Sequence, residues 1–242
     1  IKSLPTQGVN QVIWNLDRKS SVETPSFGGG GGGGQGARSR GFFEPSGGPT
    51  LPGKYRVAIA YGGEKSETEI TVHGDPRIQA EMANLKAREN FIKEVESLSG
   101  DVMKATRQLD EAKRTIDKLL AYAKDIDTEE VKALVKMANE TKKKVDKTRE
   151  AFYGPTVEGQ GITRGLYPTT MSRLFAPRSY ANSSFGAPGP TEQRLLDQAK
   201  ESAKEAMVIW NAFMDNDWKP FVEKAQATQI DIFKEIEKVE IK

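Results

Sequence analysis

Apolar side chains recur at helical spacing over a long central stretch: Ile78, Met82, Leu85, Ile92 and Val95, then Val102, Ala105, Leu109, Ala112, Ile116, Leu119 and Ala123. Nearly every position off this stripe is charged or polar, the signature of a helix with one buried face. The pattern predicts helix from Asp75 to about Lys124. Asp75 stands as the N-cap, and Pro76 occupies the first position, where a missing N–H costs nothing. Gly100 interrupts the stripe, and glycine inside a helix costs roughly 1 kcal/mol relative to alanine. The phase nevertheless holds from Leu98 to Val102, so the stretch is either one helix of about 48 residues, roughly 70 Å long, or two helices with a break or kink near Ser99–Asp101, and the break is favoured. A second helix should open at Thr128, a suitable N-cap, and bury Val131, Leu134 or Val135, Ala138, Val145 and Phe152. A third should begin at Thr191 and bury Leu195, Leu196, Ala199, Ala203, Ala206, Ile209, Trp210 and Phe213. Asp215-Asn216-Asp217 then ends or bends it. Trp218-Lys-Pro220 leads into a final helix carrying Phe221, Val222, Ala225, Ile232, Phe233 and Ile236.

Before Gly74 the period is two instead. Val12, Trp14 and Leu16 alternate within Val9–Asp17, as do Tyr55, Val57, Ile59 and Tyr61 within Lys54–Tyr61. Thr68, Ile70 and Val72 alternate on the return from Gly62-Gly63, a pair suited to a two-residue hairpin turn. Three such strands bury little area, so residues 1–74 read as part of a β-sandwich whose other strands lie upstream or on another chain. The expected fold is α+β. A partial antiparallel β-sandwich of immunoglobulin or fibronectin-III type (1–74) precedes an antiparallel helical bundle (75–242). A Gly-rich loop at 27–50 and a long connector at 154–190 interrupt the two parts, and Met171–Phe175 forms a short helical turn in the connector.

Composition narrows the chemistry. The 36 basic and 34 acidic side chains among 242 residues nearly cancel, which argues against nucleic-acid binding. No apolar run is long enough for a membrane span. Without cysteine there is no disulfide, thiolate nucleophile or cysteine-based zinc site. The chain opens at Ile1 without a leader, so it reads as a fragment of a longer polypeptide. Gly28–Gly34 matches almost any glycine motif. It lacks the preceding strand, following helix and Lys-Ser/Thr of a phosphate loop, and reads as a flexible connection. Phe27, Phe42 and Phe43 flank it and are candidates for docking a partner.

Single histidine (His73) excludes a Ser-His-Asp triad or a multi-histidine metal site within the chain. The carboxylate pairs Asp125/Asp127 and Asp215/Asp217 sit at expected helix ends, where Asp ordinarily caps. Asp215-Asn-Asp217 begins like a calcium loop but lacks the downstream Gly and Glu. Lys142-Lys143-Lys144 reads as a solvated helix face. Trp210, Phe213, Trp218 and Phe221 form an aromatic cluster. Core packing is its ordinary role and a carbohydrate-stacking platform the sharper one, with Trp210 and Trp218 as candidate partner-binding residues. No catalytic, cofactor or metal residues are assigned.

Three segments carry a family resemblance: Gly8-Val-Asn-Gln-Val-Ile-Trp-Asn-Leu16, Leu51-Pro-Gly-Lys-Tyr-Arg-Val57 and Val72-His-Gly-Asp-Pro-Arg77. They look like the region that follows the β-propeller in large secreted bacterial proteins of the sortilin-like, neuraminidase-repeat type, often labelled glycosyl hydrolases. The helical remainder, with Pro190-Thr-Glu-Gln193 and the Trp210–Trp218 stretch, is similar to their C-terminal helical segment. The polyglycine tract departs from the usual short connection there. The resemblance implies an extracytoplasmic location (periplasm, outer-membrane surface or secreted) and an upstream propeller, and it transfers no catalytic residue. Two function classes are then in view. One is a non-catalytic module that docks the propeller, or strands of the same precursor, and a cell-envelope partner. The other is the accessory part of a glycan- or peptide-processing hydrolase whose active site lies upstream.

Overall fold

The computed structural model describes residues 6–19, 46–78, 80–124, 126–155 and 168–228. Its elements are β1 (Asp17–Lys19), β2 (Ser46–Pro49), β3 (Gly53–Tyr61), β4 (Glu64–Val72), α1 (Met82–Ala123), α2 (Glu129–Tyr153), α3 (Thr170–Asn182), α4 (Pro190–Phe213) and α5 (Lys219–Ala227). A five-residue π turn, Met214–Trp218, joins α4 to α5. The fold is mostly helical, with two separate two-stranded antiparallel sheets, β1–β2 and β3–β4. The expected partial sandwich followed by a bundle is therefore incorrect. A sandwich needs two sheets stacked face to face. Here the small β1–β2 sheet abuts a helix instead. Arg18 pairs with Glu89 of α1 at 3.2 Å, and a side chain at Gly48 would come within 2.9 Å of the Arg18 guanidinium and 3.9 Å of Ile92.

Two further expectations fail at the N-terminal side. Residues 9–15 form no strand, and only Asp17–Lys19 pairs, with Ser46–Pro49 across an irregular register. Helix α1 begins at Met82 rather than Pro76. Asp75 instead closes a separate turn, accepting the Arg77 N–H at 2.9 Å and the Arg77 guanidinium at 2.6 Å, with Ile78 N–H donating to Asp75 O. The Arg77 contacts hold the Asp75 carboxyl below the usual Asp value and raise Arg77.

By contact the described chain forms two compact units, Ile1–Gly100 with Leu174–Asp197, and Asp101–Arg173 with Gln198–Lys242. In the first, Phe91, Ile92 and Val95 of α1, Ala181 of α3 and Leu196 of α4 form a buried cluster, with Leu98 packed against it. Arg88, 7% exposed, donates to Ser184 O at 2.5 Å and lies 5.6 Å from the Phe185 ring. It thereby ties the segment just after α3 to α1, and burial lowers its pKa. Arg178 of α3 lies 3.5 Å from buried Glu96. Glu192 accepts the Gly189 N–H at 3.0 Å, so α4 starts at Pro190 with Gly189 as its cap, one turn position earlier than the Thr191 start expected.

In the second unit, Val102, Ala105, Leu109, Ala112 and Ile116 face Val131, Leu134, Ala138, Val145 and Phe152, all buried. Ion pairs flank this seam: Lys113–Asp146 and Asp117–Lys142 at 2.5 Å, and Asp110–Arg149 at 3.5 Å. As one member of each pair advances along α1 its partner retreats equally along α2, which fixes the two helices as antiparallel and in register. Such exposed pairs contribute only about 0–1 kcal/mol each; their value is orientation. Thr128 caps α2 through the Val131 N–H, as its sequence position predicted. Thr170 binds Ala151 O and the Ser202 hydroxyl, both at 2.9 Å, tying the start of α3 to α2 and α4.

Helix α1 is continuous for 42 residues through Gly100, against the expected break. Ser99 keeps its hydroxyl on Val95 O, and helical hydrogen bonding runs on past the missing side chain. Helix α3 is also longer than the short turn expected, reaching Asn182 with Pro177 inside it. Helix α4 ends at Phe213, and Asp215–Asp217 fall within the π turn that follows it. The wide π turn there precedes Pro220, which lacks an N–H and whose ring would crowd the carbonyl of Asn216 in a regular helix. Ile232, Phe233 and Ile236, assigned to the final helix, lie outside the described residues.

Candidate functional site

The candidate carboxylates are engaged in ion pairs. Asp215 takes Lys219 at 2.5 Å, Asp217 takes Lys144, and Asp127 takes Lys132 at 2.7 Å. The carboxylate contacts raise the pKa of Lys219 and Lys132. Asp125 lies outside the described residues. Two lysines of the Lys142–Lys144 run thus serve neighbouring helices rather than a solvated face alone. Among the described residues no three His, Asp or Glu side chains gather as a metal site would require. His73 is exposed just beyond β4.

The aromatic cluster is built inward. Phe213 and Phe221 are buried, and half-buried Trp218 rests against both, with ring centroids 6.5 Å and 5.6 Å away. Trp210 is half-buried, and its indole N–H is enclosed without a hydrogen-bond partner among the described residues. Phe27, Phe42 and Phe43, the other candidate docking residues, lie outside the described residues.

The first unit carries an exposed apolar surface, within residues 1–74, whose candidate strands the sequence already marks as too few to bury their own faces. It starts at a well-fixed joint. Trp14 donates its indole N–H to Asp17 O at 2.8 Å and meets the Tyr55 ring edge-on at 6.0 Å, while the Tyr55 hydroxyl donates to Leu51 O at 2.7 Å. The segment leading into Trp14 has its own local order. Asn10 accepts the Thr6 N–H at 2.8 Å and donates to Thr6 O and Gly8 O, the latter residue at a φ of +105°. Yet Val9 is 101%, Ile13 69% and Val12 55% exposed.

On the other side of the joint stands the hairpin. Its register pairs Tyr55 with Ile70, Val57 with Thr68, Ile59 with Ser66 and Tyr61 with Glu64. Gly62 and Gly63, at φ +59° and +91°, make the type I′ turn that only glycine, Asn or Asp enters readily. Alternation places Tyr55, Val57, Ile59 and Tyr61 on one face. Tyr55, against Trp14, and Val57 are half-buried, whereas Ile59 and Tyr61 are 69% and 70% exposed. The face is covered at its Trp14 end and bare toward the turn. A charged or polar residue at position 59 would be the ordinary choice for a strand in water.

The chain matches no family model, no curated protein and no solved structure.

Proposed function

We propose that the chain is a non-catalytic interaction module, the C-terminal part of a larger secreted or cell-envelope β-propeller protein, and that its first unit docks the propeller. The observation that carries this reading is the uncovered apolar surface at Val9, Val12, Ile13, Ile59 and Tyr61. Val9, Val12 and Ile13 lie in the Gly8–Leu16 segment that resembles the post-propeller region, and Ile59 and Tyr61 lie just beyond the Leu51–Val57 segment that does so too. Trp14 and Tyr55 hold the surface in place, so docking needs little reordering of the joint. The helical second unit, with its own core, is free to present a further surface to an envelope partner.

The test is to express the upstream propeller as a separate polypeptide and titrate it with this chain by calorimetry. Saturable binding weakened by Ile13→Asp and by Ile59→Asp, but not by Lys147→Ala on the second unit, is expected. Absence of binding, or binding indifferent to both Asp variants, overturns the reading. Turnover of glycan or peptide substrates by the purified chain alone would also overturn it.

A further inference from the structure

The β3–β4 hairpin has a second unsatisfied feature, distinct from its apolar face: the free edge of β3. A two-residue turn makes Tyr61 and Glu64 a hydrogen-bonded pair, and alternation along the register repeats this at Ile59, Val57, Tyr55 and Gly53. The backbone N–H and C=O groups of Lys54, Arg56, Ala58 and Ala60 therefore point away from β4. Among the described residues no strand pairs with them. The outer half of this edge, Ala58-Ile59-Ala60-Tyr61, carries no charge. Natural edge strands usually place a charge, a proline or a bulge there to prevent pairing.

We propose that β3 pairs antiparallel with β3 of a second copy of this chain, about a two-fold axis at Val57, to give a four-stranded sheet in the order β4–β3–β3–β4. The pairing is self-complementary along all nine residues of the strand. Val57 meets Val57, Tyr55 meets Ile59, Arg56 meets Ala58, Lys54 meets Ala60 and Gly53 meets Tyr61. The outward backbone groups fall on the Arg56–Ala58 and Lys54–Ala60 pairs, where hydrogen bonds are exchanged. Val57–Val57 and Tyr55–Ile59 become the closer, non-hydrogen-bonded pairs. Aromatic–β-branched contact across strands is favourable. Exposed Ile59 of one copy comes to lie beside the Tyr55–Trp14 joint of the other, and exposed Tyr61 lies over Gly53, which has no side chain to pack.

Charge selects this edge. No charged residue of β3 faces another in that register. The equivalent full overlap of β4 about Thr68 would set Glu67 against Glu69 twice, which is destabilising. The occupant is accordingly a second copy through β3, with an isologous, closed interface. This inference does not depend on the propeller reading.

The experiment uses the whole 242-residue chain, which has no native cysteine to interfere. Sedimentation over a range of concentrations should show a reversible monomer–dimer equilibrium. Val57→Cys should cross-link to itself under mild oxidation, because the two-fold axis sets these positions within disulfide reach. Ala60→Cys should not, since its two copies lie several residues apart along the paired strands. Ala58→Lys faces Glu67 within its own hairpin but Arg56 across the axis. It should keep the hairpin and raise the dimer Kd by roughly threefold to thirtyfold, the like-charge pair occurring twice. A chain that stays monomeric throughout, that forms open polymers, or in which Val57→Cys and Ala60→Cys cross-link alike would overturn the proposal.

Discussion

Replacing Ile209 by alanine and Leu134 by alanine separates two readings of α4. Periodicity alone places Ile209 on the buried side of its helix, beside Ala206 and Phe213. The structure leaves it 48% exposed, while Leu134 on α2 is 0% exposed. Ile→Ala removes three carbon groups, each contributing about 0.8 kcal/mol when fully buried. With about half the side chain already in water and no closed cavity left behind, Ile209→Ala should cost about 1 kcal/mol. Leu134→Ala loses its whole transfer energy and leaves a cavity, so about 2–5 kcal/mol is expected. Urea melts followed by far-ultraviolet circular dichroism give both values from one protocol, provided the slopes stay equal. The two variants losing the same stability, to within about 0.5 kcal/mol, would mean that α4 is rotated from the phase described and would refute the reasoning.

Three other outcomes follow from the same geometry. Thr128→Ala removes the side-chain acceptor of the Val131 N–H and should destabilise α2 by about 1 kcal/mol, read from the same melts; no change would show that the cap is idle. Gly63→Ala forces a side chain into φ +91° and should cost about 1–2 kcal/mol of hairpin stability, seen as faster amide exchange across β3 and β4. The Asp75 carboxyl should titrate below the ordinary Asp range by carbon-13 NMR, and Arg77→Ala should return it there. Because its folded pKa is depressed, its contribution is present above the unfolded pKa and lost as pH falls through the folded one.

The helices were legible where local signals and burial coincide. Thr128 opens α2, and each apolar position of its stripe at spacing three, four or seven is buried, from Val131 to Phe152. The hairpin turn was likewise readable, since Gly62-Gly63 is a local solution to a local requirement. The errors arose where the deciding contact is distant. Val12, Trp14 and Leu16 alternate like a strand, but a strand needs a neighbour to accept its backbone, and none of the described residues pairs with 9–15. Trp14 turns to Tyr55 instead, a contact that spacing cannot announce. Pro177 and the Gly/Ser-rich flanks hid α3, whose burial of Met171, Leu174 and Ala181 is tertiary. Gly100 read as a breaker because its cost is local, whereas the neighbouring buried residues Val95 and Val102 hold the helix through it. That the strands before Gly74 are too few to cover their own apolar faces was legible; which end of the hairpin face is covered was not, because period two marks a side of a strand and only the surroundings show where it is buried.

Hydrogen exchange measured on the isolated chain and on the same chain joined to the upstream propeller that the proposed function calls for tests the docking proposal most directly. Both samples should be held below the concentration at which the chain self-associates, so that protection of β3 by a second copy does not enter. The account predicts that amides of residues 9–13 and of the hairpin near Ile59 and Tyr61 become protected when the propeller is present, while α2 exchanges alike in both. Unchanged exchange at residues 9–13 with the propeller attached would contradict it.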